Sequence, residues 1–150
     1  MHHSDFTAMS LALLTCLLAM ILGCGTGSQE STTEFVNEVG LPTVSGRELE
    51  RFVQASQVPV LVEFGVDFNC PRCAQTKSDV VRLRESLEGK VDVIRVDFNA
   101  NAQMVAKLGG TICPTYVLFD HGQPVLTRSF PVSIDLLEGE ILRLEGDSGK

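Results

Sequence analysis

Hydrophobic and polar positions divide the chain into three regimes. Residues 9–22 are an almost unbroken apolar run: Met9, Leu11 to Leu14, then Leu17 to Leu22. It has the length of a signal-peptide core and is too short for a comfortable membrane span. Residues 25–33 are small and polar with no apolar periodicity, the pattern of a flexible tether. From residue 35 onward, short apolar blocks alternate with amphipathic ones. Val36, Val39, Leu41 and Val44 suggest a short edge strand, which Pro42 confines to an edge. Ser45 and Glu48 fit a capping box ahead of a helix with Leu49, Phe52 and Val53 on one face, ending near Ser56. Residues 58–64 are nearly all apolar and rich in β-branched side chains, as in a strand covered on both faces.

A turn over 65–69 leads into a second helix with Val80, Leu83 and Leu87 inward, Lys77, Arg84 and Glu88 outward, and Gly89 as its stop. Residues 91–98 read as the next strand. Asn99 or Asn101 is positioned to cap a short helix carrying Met104, Val105 and Leu108, closed by Gly109-Gly110. Strands at 115–119 and 125–130 join through a hairpin turn at 120–123. Ser133 opens a last helix with Ile134, Leu137, Ile141 and Leu144 on one face, and residues 146–150 are expected to fray. The order βα, βα, βα, ββα predicts an α/β fold: a mixed central sheet with helices on both faces. The expected layout is a leader at 1–23, a tether at 24–34, a folded domain at 35–146 and a disordered tail at 147–150.

Charge and cysteine usage sharpen this picture. The net charge is −7 and Lys and Arg form no cluster, which argues against nucleic-acid binding. Five cysteines, at 16, 24, 70, 73 and 113, are too few and too unevenly placed for a disulfide-stapled scaffold. Ile21-Leu22-Gly23-Cys24 resembles a bacterial lipobox, which implies cleavage before Cys24 and its lipidation. The leader lacks the usual Lys or Arg before its apolar run, so an uncleaved membrane anchor and a start site misplaced upstream are the alternatives. All three readings export the domain, and the expected location is membrane-anchored, facing the periplasm or the cell exterior.

Candidate chemistry centres on Cys70-Pro71-Arg72-Cys73, between the apolar strand and the second helix. A cysteine at a helix N-terminus meets free N–H groups and the positive end of the helix dipole, which favour the reactive thiolate. Pro71 is tolerated in the first turn, where its missing N–H has no partner to lose. Arg72 adds a positive charge beside the pair. Cys70 is the expected nucleophile and Cys73 the resolving thiol; the bland alternative is a structural disulfide or half a metal site. Glu63, inside an apolar strand, should resist ionisation. Phe68 and Phe130 are candidates for an apolar substrate rim, or ordinary packing.

These residues resemble the thioredoxin family over roughly residues 41–144. The resemblance rests on 60–64 with its acid at Glu63, on Cys70 and Cys73, on Ile112-Cys113-Pro114-Thr115, and on Leu118-Phe119-Asp120-His121-Gly122. It implies a thioredoxin-like three-layer sandwich and thiol–disulfide exchange with client proteins. It also implies a cis Cys113–Pro114 bond facing the redox pair, substrate contacts near Phe68, Arg72, Cys113 and Pro114, and help from Glu63 in moving the Cys73 proton. The chain departs from the family pattern at Asn69, where an aromatic residue is usual, at Pro71-Arg72, where Gly-Pro is usual, at Glu63, where the acid is usually Asp, and at Phe130, where Gly is usual. These departures argue against the cytoplasmic reductase as electron source and leave the donor open, a membrane redox protein being one route. Reduction of clients is slightly favoured over oxidation, because the disulfide oxidases carry an inserted helical domain. This reading uses no cofactor and no metal. Two alternatives stay open: a metal-binding or delivery module built on Cys70, Cys73 and Cys113, and a non-catalytic adaptor. Cys113 itself is a small apolar residue, a third redox thiol or a metal ligand.

Overall fold

A computed structural model describes residues 40–148; the expected leader, lipobox and tether lie outside them. The described elements run in the order α1 (Gly46–Ala55), β1 (Val60–Gly65), α2 (Pro71–Ser86), β2 (Asp92–Asp97), a 3-10 turn (Asn99–Asn101), α3 (Ala102–Lys107), β3 (Thr115–Asp120), β4 (Gln123–Ser129) and α4 (Ile134–Ser148). The four strands form one sheet in the order β2-β1-β3-β4. β1 and β2 run parallel, and β3 is antiparallel to both β1 and β4. This is the expected mixed sheet.

Successive side chains of a strand point to opposite faces, so β1 and β3 feed two cores at once. Leu61, Val93, Tyr116 and Leu118 pack with Val80, Leu83 and Leu87 of the α2 segment and Ile134, Leu137 and Ile141 of α4. Val60, Val62, Phe64, Ile94, Val96, Val117 and Phe119 pack on the other face with Leu49 and Val53 of α1 and Val105 of α3. Every residue of β1 is buried, as its continuous apolar run demands.

Several boundaries differ from expectation, each for a local reason. The edge strand over 35–44 is, within the described residues, a single parallel bridge between Thr43 and Arg95. Val44 N–H donates to the Arg95 carbonyl at 2.9 Å and Arg95 N–H to the Pro42 carbonyl at 2.8 Å; Pro42 has no N–H with which to extend the ladder. Ser45 stands at the N-cap of α1, but its hydroxyl donates to the Glu48 carboxylate at 2.6 Å and caps no backbone N–H. Asn101 stands at the N-cap of α3, but its side chain caps no backbone N–H. Asp97 does the equivalent work one turn earlier, its carboxylate accepting from Ala100 N–H at 2.7 Å. The hairpin turns on His121 and Gly122, both with positive φ (48° and 74°), the conformation that two-residue hairpin loops require. The last helix continues to Ser148, past the point where fraying was expected.

The cores supply a direct test. Leu137 is fully buried and its neighbour Leu136 is exposed. Leu137→Ala is expected to lower unfolding stability by about 2–5 kcal/mol, and Leu136→Ala by less than about 0.5 kcal/mol, read from the shift in urea midpoint.

Candidate functional site

The site forms at the carboxyl end of β1, where the loop into α2 meets the loop before β3. Asn69 has φ +57°, a left-handed turn that Asn tolerates better than most residues. That turn sets Cys70 at the N-cap of α2, with Pro71 in the first helical position. Cys73 N–H donates to Cys70 Sγ at 3.0 Å, so one of the free N–H groups of the helix start is spent on that sulfur. Cys70 and Cys73 are joined by a disulfide. Cys73 is buried and Cys70 half-buried, which leaves Cys70 as the sulfur a partner reaches first.

The Cys113–Pro114 bond is cis. Thr115 anchors this loop by donating to the Ile112 carbonyl at 2.7 Å and by pairing with the Ser129 hydroxyl at 2.8 Å. Cys113 Sγ then lies 3.2 Å from Cys73 Sγ and 3.8 Å from Cys70 Sγ. Burial, followed by the nearby Glu63 carboxylate, pushes the Cys113 thiol up from its ordinary value. As a free thiol it is therefore a poor nucleophile at neutral pH. An open groove lined by Phe68, Cys70, Arg72, Phe98, Ile112 and Cys113 runs beside the pair. Phe68 is 84% exposed at its rim. Phe130 lies apart from Phe68: it lines a neighbouring depression and sits under the Arg72 guanidinium, 6.0 Å from ring centroid to cation.

Glu63 is completely buried, so it does not occupy a solvated strand end. The alternation of β1 turns it toward the α2 face, in register with Arg95 on one side and Tyr116 on the other. Arg95 donates to Glu63 Oε2 through Nε at 2.8 Å and Nη2 at 2.6 Å. Its Nη1 reaches Asp67, in the loop leading to Cys70, at 2.6 Å. Glu63 Oε1 is buried without a hydrogen-bond partner. Burial pushes the Glu63 carboxyl up, and the Arg95 charge opposes that only in part. Tyr116 completes the row, its hydroxyl donating to Thr76 of α2 at 3.2 Å. Arg95 and Asp67 were not singled out from sequence. The usable signal was the one cation of the strand, set between Ile94 and Val96 at the same alternation as Val93.

The thioredoxin family profile matches residues 41–136. The chain belongs to the thioredoxin family. It is 30% identical over 85 residues to thioredoxin of Rickettsia bellii, covering 57% of this chain and 80% of that one. To thioredoxin 1 of a Nostoc species it is 32% identical over 82 residues, covering 55% and 76%. A designed protein solved by crystallography shares the fold, with a TM-score of 0.59 at 24% identity, over 70% of this chain and 97% of that one. Family membership and the joined Cys70–Cys73 pair make this thioredoxin-like chain a thiol-disulfide oxidoreductase.

The Glu63–Arg95 pair yields a prediction with a definite sign. Arg95→Met strands a buried carboxylate and is expected to cost about 3–5 kcal/mol at neutral pH. Without its counter-charge Glu63 holds its proton to higher pH in the folded state. The folded chain then binds more protons than the unfolded one above the ordinary carboxyl value of about 4.3. Stability of the variant therefore falls as pH rises from that value. Urea titrations at neutral and mildly acidic pH should show the smaller loss at acidic pH, and adding Glu63→Leu should recover most of it.

Proposed function

We propose that this thioredoxin-like protein is an exported, lipid-tethered protein-disulfide reductase. Reduced Cys70 attacks a client disulfide, forming a mixed disulfide and releasing one client thiolate. Cys73 then attacks the Cys70 sulfur, the Cys70–Cys73 disulfide closes, and the second client thiolate leaves. Two electrons pass to the client, and an external dithiol donor, for example a membrane redox protein, restores the pair. The observation that carries this reading is the placement of Cys70: half-exposed at the start of α2, receiving an N–H from Cys73, and open to the groove beside the Cys113–Pro114 loop.

Other residues have supporting roles. Backbone groups flanking Pro114 offer an extended client segment strand-like pairing, while Phe68 gives it apolar contact and Arg72 a positive flank. Glu63 receives the Cys73 proton during resolution; its burial and its open Oε1 support that role. Export and anchoring rest on the lipobox-like 21–24 segment, with Cys24 as the lipidated residue.

Reduced chain should lower the turbidity threshold of an insulin-type reduction assay, and Cys70→Ser should abolish that activity. Cys73→Ser should accumulate mixed disulfides through Cys70, seen as reductant-sensitive adducts on non-reducing gels; no adducts would remove Cys73 from the resolving role. The pair should poise nearer about −270 mV than about −120 mV. In a bacterial host, radiolabelled palmitate should enter the chain and be lost in Cys24→Ser.

A further inference from the structure

The third cysteine gives the site a capacity that disulfide exchange does not use. Cys70, Cys73 and Cys113 come from three backbone positions, the N-cap of α2, its first turn and the loop before β3, yet their sulfurs all lie within 4.8 Å of one another. We infer that, once the Cys70–Cys73 disulfide is reduced, these three sulfurs form a trigonal thiolate site for a soft monovalent cation, copper(I).

Two geometric observations favour a metal over a third redox partner. Attack on a disulfide proceeds along the S–S axis, which would put Cys113 about 2 Å further from the distant sulfur than from the near one. Cys113 instead stands beside the bond, at 3.2 Å from Cys73 and 3.8 Å from Cys70. That triangular arrangement matches a shared ion. Metal–sulfur bonds of about 2.3 Å in a trigonal plane separate the sulfurs by about 4 Å, and opening the disulfide frees Cys70 and Cys73 to move apart to that spacing.

The donor set chooses the ion. Thiolates select copper(I), zinc or iron–sulfur clusters. Structural zinc sites are almost always closed by four protein ligands, a three-ligand zinc needs a water in its open position, and iron–sulfur clusters use four cysteines. Among the described residues the cluster contains three cysteines and no fourth His, Cys, Asp or Glu. Copper(I), which accepts three thiolates, is the ion this set satisfies. The Cys73 sulfur is buried while the others border the groove, so an ion has an entry path and a partly dry seat. Arg72 offsets the negative charge of the complex, and Glu63 opposes it.

A dithiol reductant opens the disulfide; copper(I) then binds three thiols and displaces three protons. Closure of the Cys70–Cys73 disulfide removes two of the three donors, so metal binding and oxidation exclude each other. This inference does not depend on turnover of any client.

The test uses the full chain in detergent with Cys16→Ser and Cys24→Ser, which leaves only these three thiols. After reduction with a dithiol and its removal without oxygen, copper(I) is titrated against a chromophoric copper(I) chelator, with zinc(II) in a parallel arm. One copper per chain with three sulfur neighbours by X-ray absorption is expected. Cys113→Ser and Cys113→Ala should each weaken copper binding at least tenfold and leave two sulfur neighbours. Circular dichroism and closure of the Cys70–Cys73 disulfide establish that each variant is folded. Unchanged affinity in both folded variants, two sulfurs in the parent, or tighter binding of zinc than of copper(I) would overturn the inference.

Discussion

A strand covered on both faces has no place for an unpaired charge. β1 is such a strand, and Glu63 is its one acid. The carboxylate is kept by a guanidinium on the adjacent strand, itself only 11% exposed, which donates twice to the same oxygen. The desolvation of both groups makes this pair expensive to assemble and more expensive to break on one side. Its third contact, to Asp67, ties the sheet to the loop that delivers Cys70. The central sheet, the buried charge and the reactive loop are thus one connected set. Burial raises both the Cys113 thiol and the Tyr116 phenol, and the Glu63 charge adds to that rise.

Reactivity is concentrated where helix and sheet leave backbone groups unspent. The start of α2 has free N–H donors by construction, and one of them points at Cys70. The opposing loop brings Cys113 to the same point, anchored by Thr115 and Ser129. Two sulfurs supply a redox couple. A third, held beside them and discouraged from ionising by its burial, changes what the reduced state is able to hold.

Much of this was legible in the residue pattern. Burial on two faces was visible in the apolar run over 60–64, and the inward faces of α2 and α4 followed from helical spacing, because Val80, Leu83, Leu137 and Ile141 are buried as their periodicity requires. The redox pair and its helix-start setting were legible for the same reason: both are local. Element ends were less so. Ser45, Asn99 and Asn101 are all chemically suited to capping, and only the surrounding backbone decided that Ser45 would bond Glu48 and that Asp97 would take the cap. Among the described residues the expected edge strand is one bridge, because pairing at an edge depends on neighbours that the segment itself does not encode.

The amino-acid order by itself determined the alternation of elements, the two-sided core and the position of the paired cysteines at a helix start, since each depends on interactions within a few residues. Tertiary structure alone decided that Arg95 would stand against Glu63, 32 positions away, and that Cys113 would stand against Cys73, 40 positions away. Those meetings are set by strand register and by how two loops converge. Neither is a property of any short stretch, because contact across a sheet is fixed only when the whole sheet closes.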